Sequence, residues 1–498
     1  MSERDIKLHV EPGRGDRLLD ALGHRRTRRS ALSAIYFDTP DLLLSRHRFA
    51  LRLRSEDGRW VQTLEGGTGG ADYRLEDEVT VVPDRADAAV PALDVERHRG
   101  SKVGRELRAL LKRHGRPRLD EVCRTEFTRV RRVLRARGAV VEWALDAGEV
   151  TAAGRSQPIS ELELELKSGD PAGLHALAHQ FQVLHGLWID PVSQSQRGVL
   201  LRADAAFHPP VKASHAPWSA KQARALDGAA MLRCMVRACL AQILPNAGEI
   251  ARGSRDPEHV HQLRVGLRRL RAAARGMRPF ALRLPQGWEA AVMPVFDALG
   301  DARDQHVLST SIAPRLREAG AAIAGAGGPS EEEAEHLRQL VRGAAFQGSL
   351  LGLMAFAEAH DDDGEGRAGK GTGLDGLVRA LRKLARQVAR DAGGFETLPF
   401  ARQHQVRKRL KRLRYLAEFA ASAFDRGETG AWLRKVSPAQ DALGRHIDLV
   451  LASQRLAASA GAAPDAGFAV GWLQAKSERA ARKARKALRR LGEARRFW

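Results

Sequence analysis

An eleven-residue pattern occurs twice in this chain, and the duplication limits the folds open to it. His261-Gln262-Leu263-Arg264-Val265-Gly266-Leu267-Arg268-Arg269-Leu270-Arg271 returns 143 residues later as His404-Gln405-Val406-Arg407-Lys408-Arg409-Leu410-Lys411-Arg412-Leu413-Arg414. Downstream, Leu299-Gly300-Asp301-Ala302-Arg303-Asp304 returns as Leu443-Gly444-Arg445-His446-Ile447-Asp448, offset by 144. Two separate matches at nearly one offset predict a tandem of similar helical bundles, about 220–350 and 374–498, related by a pseudo-twofold axis. At about 100° per residue, His261, Arg264, Arg268 and Arg271 share one arc of a helix, and Leu263, Leu267 and Leu270 share the neighbouring arc. His404, Arg407, Lys411 and Arg414 repeat the arrangement. Each motif therefore buries leucines and presents a His/Arg stripe.

Such stripes work against their own helices. Like charges at i,i+3 and i,i+4 repel by a few tenths of a kcal/mol per pair. Arg presents a planar fork suited to phosphate oxygens, and His adds a donor. A solvated, salt-bridged surface helix is the ordinary explanation of a charge run. Its recurrence with the same residue types at the same spacing favours anion binding instead. Asp304 and Asp448 are candidates either for counter-ions that orient the arginines or for helix caps.

The whole chain has 498 residues with 82 Lys+Arg against 60 Asp+Glu, a formal charge of +22. Residues 1–208 are nearly balanced, with 34 basic and 31 acidic side chains, so most of the excess lies in the remainder, 48 against 29. A surface of this kind attracts polyanions. Aromatic residues are only 5%, which disfavours base-stacking readers of single strands. A linear polyphosphate suits paired basic helices better than nucleic acid does. Cys123, Cys234 and Cys239 form no zinc-type pattern, and a reducing cytoplasm is the economical expectation. No run of about 18 apolar residues is present, so no membrane span is expected. The basic C-terminal stretch from Gly471 to Trp498 reads either as a membrane-surface helix or as a helix docked on the bundle.

The first part has the period of strands. Runs at 6–10, 50–54, 60–64, 140–145 and 161–166 are strand-like, with turns expected at Glu56-Asp57-Gly58 and Asp146-Ala147-Gly148. Glu161-Leu162-Glu163-Leu164-Glu165-Leu166 alternates strictly, which puts three carboxylates on one face. Helical stretches are expected near 15–22, 101–113 and 171–185. Phe207 to Pro217 reads as a Pro-bearing linker, and Asp361 to Gly373 as a solvated loop.

Residues 259–308 and 404–452 resemble the CHAD domain, through the His-x-x-Arg-x-x-x-basic-x-Leu-Arg stripe and the Leu-Gly-x-x-x-Asp segment, each present twice. The first 205 residues resemble the CYTH domain, the triphosphate tunnel fold. That resemblance is carried by Ile35-Tyr36-Phe37-Asp38-Thr39-Pro40, Leu51-Arg52-Leu53-Arg54, Arg74-Leu75-Glu76-Asp77-Glu78, Thr125-Glu126-Phe127-Thr128-Arg129, Ala144 to Glu149, Glu161 to Glu165, and Ser195-Gln196-Arg197-Gly198. The two together are similar to the bacterial two-domain inorganic triphosphatases. The implied organisation is multidomain α+β: an antiparallel β-tunnel over 1–205, a linker over 206–219, and an all-α tandem bundle over 220–498.

The resemblance implies binding of inorganic polyphosphate by His261, Arg264, Arg268, Arg271, His404, Arg407, Lys411 and Arg414, in the cytoplasm and in association with polyphosphate granules. It implies phosphate binding in the tunnel by Arg52, Arg54, Arg74, Arg129 and Arg197. Glu76, Glu78, Asp146, Glu163 and Glu165 are the implied acidic ligands for Mg²⁺ or Mn²⁺, hard cations that take oxygen donors. The sequence departs from the family's opening Glu-x-Glu-x-Lys, for Lys7 stands at the second acid and His9 at the lysine. Glu65 and Gln194 stand where two further lysines belong. These changes argue for a tunnel that binds phosphate chains and hydrolyses them weakly or not at all. The alternative is an active metal-dependent triphosphatase.

Overall fold

A computed structural model describes residues 4–22, 27–66, 75–82, 90–214, 218–278, 280, 284–321, 329–359, 372–458 and 466–498. Arg74, the end of the expected linker at 215–217, and most of the expected loop at 361–373 lie outside the described residues. The chain divides into two compact units, Met1–Pro209 with Arg342–Leu351, and Pro210–Val341 with Gly352–Trp498.

The first unit is built on one nine-stranded antiparallel sheet. Its strands are β1 (Asp5–His9), β2 (Arg28–Asp38), β3 (Ala50–Glu56), β4 (Arg59–Gly66), β5 (Leu75–Val81), β6 (Asp120–Ala136), β7 (Ala139–Ala152), β8 (Arg155–Gly169) and β9 (Trp188–Ile189). They lie in the order β5-β4-β3-β2-β6-β7-β8-β1-β9. Three hairpins turn through a residue and a glycine both at positive φ: Asp57-Gly58, Arg137-Gly138 and Ala153-Gly154. That is the geometry whose twist matches the flanking strands.

Every expected strand run falls in a strand apart from Val10, one residue beyond β1, and the expected helices appear as Gly15–Leu22, Lys102–Arg113 and Pro171–His185. One expected turn is corrected. Asp146-Ala147-Gly148 lies within β7, where a Cβ on Gly148 would sit 2.1 Å from the Glu126 carbonyl oxygen. The glycine there permits a close approach between strands, not a reversal. Arg342–Leu351 packs within the same unit: Gln347 accepts the Ile189 N–H (2.9 Å) and Arg342 pairs with Glu11 (2.6 Å).

The alternation in β8 sorts its side chains as its period requires. Leu162 and Leu164 are fully buried on one face, and Glu161, Glu163 and Glu165 occupy the other. Register then sets the carboxylate face beside β1, with His9 opposite Glu161, Lys7 opposite Glu163 and Asp5 opposite Glu165. On the other side β7 puts Asp146, Ala144 and Glu142 opposite the same three glutamates.

The second unit is helical. Gly228–Ala251 is its central helix, with Met231, Leu232, Met235, Val236, Cys239 and Ile243 buried. By length and composition it alone among the described single helices could cross a membrane, as could the bent pair Glu331–Arg342 and Ala344–Glu358 taken together. Gly228–Ala251 also buries Asn246 and Glu249, as a core helix does. The two stripes lie on helices Pro257–Gly276 and Phe400–Ala420, and the Leu-Gly segments on Trp288–Val307 and Arg426–Ala458. Leu263, Leu267 and Leu270, like Leu410 and Leu413, are buried to within 1%, so the apolar arcs hold the stripes in place.

Candidate functional site

The polar face of the sheet carries most of the residues singled out from the sequence, and it is neutralised from within. Arg129 donates to both oxygens of Asp146 (2.7 Å each) and to Glu163 (2.8 Å). Arg52 pairs with Glu65 (2.9 Å) and Glu76 (3.7 Å), and Arg54 with Glu78 (3.2 Å). Glu165 is held by Lys167 (2.6 Å). Burial would discharge Arg129, but its hydrogen bonds and attraction to Asp146, with Glu163, raise its pKa above the ordinary guanidinium value.

Lys7 sits at the centre of this network. Its Nζ lies 3.2 Å from Glu161, a fully buried carboxylate that also contacts Arg197 (3.3 Å) and Gln194 (3.0 Å). Burial alone would lower the lysine's pKa, but Glu161, Glu163 and Asp5 outweigh it and raise it. The partner responds in kind: burial would raise Glu161, but Lys7 and Arg197 bring it below the usual carboxylate value. His9 stacks on Trp188 (4.5 Å between centroids), and burial lowers its pKa, so it is neutral near pH 7. Glu161 was visible in the alternating run, yet nothing in that run distinguished it from Glu163 and Glu165. Only the packing of β1 and helix Gln194–Arg202 on β8 brings Lys7, Gln194 and Arg197 onto it.

The residues present do not fit a divalent cation. Among the described residues no three His, Cys, Asp or Glu side chains converge to hold a metal. The expected ligands are split between Arg52 and Arg54 on one side of the sheet and Arg129 and Lys167 on the other. The ammonium of Lys7 stands among the carboxylates. A cavity of about 530 Å³ lies against helix Lys102–Arg113 and holds none of the predicted site residues.

The stripes of the helical unit are different. Arg264, Arg268, Arg407 and Lys411 lie within electrostatic reach of one another across the two helices. Burial and then Arg268 press the Arg264 guanidinium down to about 10. Burial, Arg268 and Arg407 hold Lys411 well below the ordinary lysine value. Arg268 is lowered mainly by burial, although Tyr415 accepts a hydrogen bond from it. His261 and His404 flank the cluster, each lowered to about 4, first by burial and then by neighbouring cations. The Nε atoms of Arg264 and Arg407, equivalent in the two repeats, are both buried without a hydrogen-bond partner among the described residues. Unsatisfied donors at matched positions call for an acceptor.

Two of the eight predicted stripe residues are diverted. Arg271 pairs with Glu289 (2.8 Å), which it shares with Arg275. Arg414 pairs with Glu418 (2.7 Å) and donates to Gln440 (2.6 Å). The cluster proper is therefore Arg264, Arg268, Arg407 and Lys411 with the two histidines.

The second duplicated segment positions the first. Arg407 meets Asp448 at 3.1 Å, and Arg264 lies 3.9 Å from Asp304 and donates to the Gly300 carbonyl at 3.0 Å. Asp304 and Asp448 stand inside their helices, so their role is that of counter-ions and not caps. They line one water-sized cleft with Arg455, which pairs with Asp304 at 3.6 Å. A Cβ on Gly300 would lie 2.8 Å from Arg264 Nη2, and one on Gly444 3.7 Å from Arg407 Nη2. Phe296 supports the first stripe only: the guanidinium carbons of Arg264, Arg268 and Arg271 lie 5.5, 5.6 and 5.0 Å from its ring centroid. The 144-residue offset puts Gln440 at the corresponding place. Phe296, Tyr415 and Arg455 carried no sequence signal, because a lone residue on a long helix has no pattern.

Residues 1–199 match the CYTH domain and residues 234–457 the CHAD domain. An inorganic triphosphatase of Haemophilus influenzae is 27% identical over 209 residues, 40% of this chain and 55% of that protein. The match thus spans about half the length of that relative. A crystal structure of the CHAD domain from Ricinus communis is 26% identical, over 58% of this chain and 98% of that one, with a TM-score of 0.46. A Hippeastrum adenylyl-cyclase candidate described as having a dominant triphosphatase activity is 19% identical, over 41% of this chain and 97% of that one, with a TM-score of 0.29.

Proposed function

From the premise that this chain is a CYTH domain followed by a CHAD domain, we propose that it binds inorganic polyphosphate through the paired stripes of its helical unit. One observation carries this reading. Arg264, Arg268, Arg407 and Lys411 crowd together until burial and mutual repulsion depress Arg264, Arg268 and Lys411, and matched Nε donors remain unpartnered. A chain of phosphates relieves both costs, because each phosphate brings negative charge and acceptor oxygens that a guanidinium fork can engage. Asp304 and Asp448 hold the arginines without neutralising the cluster.

In the sheet unit, Arg52, Arg54, Arg129 and Arg197 are already bound to carboxylates of the chain. A phosphate chain entering there must displace those partners or share them. This unit binds short phosphate chains weakly and has little or no hydrolytic activity, since Lys7 neutralises the acidic cluster. The triphosphatase relative supports the other reading, an active hydrolase served by the helical unit as collector of substrate.

One paired experiment tests both. Reversal of Arg264, Arg268, Arg407 and Lys411 to Glu weakens polyphosphate binding at least about 100-fold, since a hydrogen bond to a charged group contributes roughly 1.5–3 kcal/mol. Circular dichroism verifies that the variant is folded, and undiminished binding by a folded variant rejects the stripe assignment. Phosphate release from tripolyphosphate is measured with Mg²⁺ and Mn²⁺ on the same wild-type protein. Robust turnover replaces the weak-tunnel reading with the hydrolase one. Absent turnover that Lys7→Glu with His9→Lys restores supports the role given to Lys7.

A further inference from the structure

The most basic helix of the chain takes no part in the stripes. Ala466–Gly492 packs on Arg426–Ala458 and Gly373–Ala392 through an arc of Leu473, Ala480, Ala481, Ala484, Leu488 and Leu491, all buried. His446 fixes it in place. Its Nδ1–H donates to the Ser477 carbonyl (3.0 Å), and its Nε2 lies 2.7 Å from Gln403 Oε1 on the second stripe helix. The tail closes the end of the helix, with Phe497 and Trp498 packed edge-on against Trp432 (5.7 and 4.8 Å).

The opposite half of the helix is cationic. Lys476, Arg479, Arg482, Lys483, Lys486 and Arg490 are exposed, and none has a carboxylate partner among the described residues. Arg485 and Arg489 share the face and pair with Glu396 (2.9 Å) and Glu493 (3.7 Å). From Lys476 to Arg490 the track is about 21 Å long at a rise of about 1.5 Å per residue. Repulsion at i,i+3 and i,i+4 recurs along it. Between those positions only Glu478 and Ala487 interrupt the cationic arc, so it offers no aromatic ring on which a base could stack. The main apolar arc is already used in docking, which leaves only the exposed Phe468 and the half-buried Trp472, under Lys476, at the start of the helix to enter a bilayer.

We propose that this helix is a second track for long-chain inorganic polyphosphate, one that extends the stripe site and recognises chain length. The inference rests on the polyphosphate reading of the stripes. A chain too short to reach beyond the stripes gains nothing from it.

The test uses the full chain with Arg482→Glu, Lys483→Glu, Lys486→Glu and Arg490→Glu, all exposed positions away from the packing arc. A second variant carries Gln at the same four sites. Affinities are measured at several salt concentrations for long-chain polyphosphate, tripolyphosphate, duplex DNA and phosphatidylglycerol vesicles. The expected result is a loss of about tenfold or more for the long chain and a shallower salt dependence, since fewer counterions are released. The Gln variant loses less, and tripolyphosphate binding is unchanged. Unaltered long-chain affinity overturns the proposal, as does a loss confined to DNA or vesicles. The stripe variant separates the two ideas: if it loses the long chain while the helix variant keeps it, only the second track fails. Wild-type protein that binds no polyphosphate overturns both.

Discussion

The polar face of the sheet and the paired stripes of the helical unit are both rich in arginine, yet they do opposite things with it. On the sheet, Arg129 is clasped by Asp146 and Glu163, Arg52 by Glu65 and Glu76, and Lys7 by Glu161. In the stripes, burial and then neighbouring cations lower the proton affinity of Arg264, Arg268 and Lys411, and the acids Asp301, Asp304 and Asp448 offset this only in part. The lesson is that a count of cations does not locate a polyanion site. What matters is whether the chain has supplied the counter-charge. A buried ion pair whose partners belong to the protein holds the fold in one arrangement, and breaking it is costly. A cluster with fewer counter-ions than cations is a standing destabilisation that an external anion removes.

The largest test of that contrast is stability. Arg129→Ala leaves Asp146 buried without its cation and is expected to destabilise by roughly 3–5 kcal/mol in denaturant unfolding. Lys411→Met, at a crowded cationic site, is expected to stabilise the ligand-free protein by about 1 kcal/mol while weakening polyphosphate binding. Equal destabilisation by the two would erase the distinction.

A smaller effect sharpens the role of the glycines. Gly300→Ala puts a methyl 2.8 Å from Arg264 Nη2 and must displace the guanidinium, whereas Gly444→Ala makes an ordinary 3.7 Å contact with Arg407. Binding by titration calorimetry is expected to fall several-fold for the first and hardly at all for the second. Both gain up to about 1 kcal/mol of helix propensity.

The smallest effect is pH dependence. His261 and His404 are lowered from 6.5 to about 4 in the free protein. Their depressed values contribute stability that is full above about 6.5 and is lost as pH falls toward 4. A bound polyanion raises both values, so binding takes up protons. Affinity should therefore strengthen as pH falls from 7 to 5, by roughly a few-fold per histidine. A flat profile would remove the histidines from the site.

The legible parts of the molecule were those with a repeating pattern. The 143-residue duplication located both stripe helices, and the alternation of Glu161 to Leu166 gave β8 and its carboxylate face. β6 has no legible strand pattern, because its arginines at 124, 129, 131, 132 and 135 fall on both faces and blur the period of two. Gly148 reads as a turn in the sequence because a glycine that permits close packing has the same letter as one that reverses the chain. Arg271 and Arg414 share the stripe's arc with the rest, since a helical wheel shows which face a side chain occupies but not that Glu289 or Glu418 meets it there.

The sequence by itself determined the two halves, their periods and the excess of positive charge in the second, because hydrophobic period and composition are properties of neighbours along the chain. Tertiary structure alone decided that Lys7 lies on Glu161, that Arg264 and Arg407 each keep an unpartnered Nε, and that the cations of two helices 143 residues apart press on one another. Electrostatic energy depends on distance and burial. Both are set by packing between segments that the order of residues does not bring together.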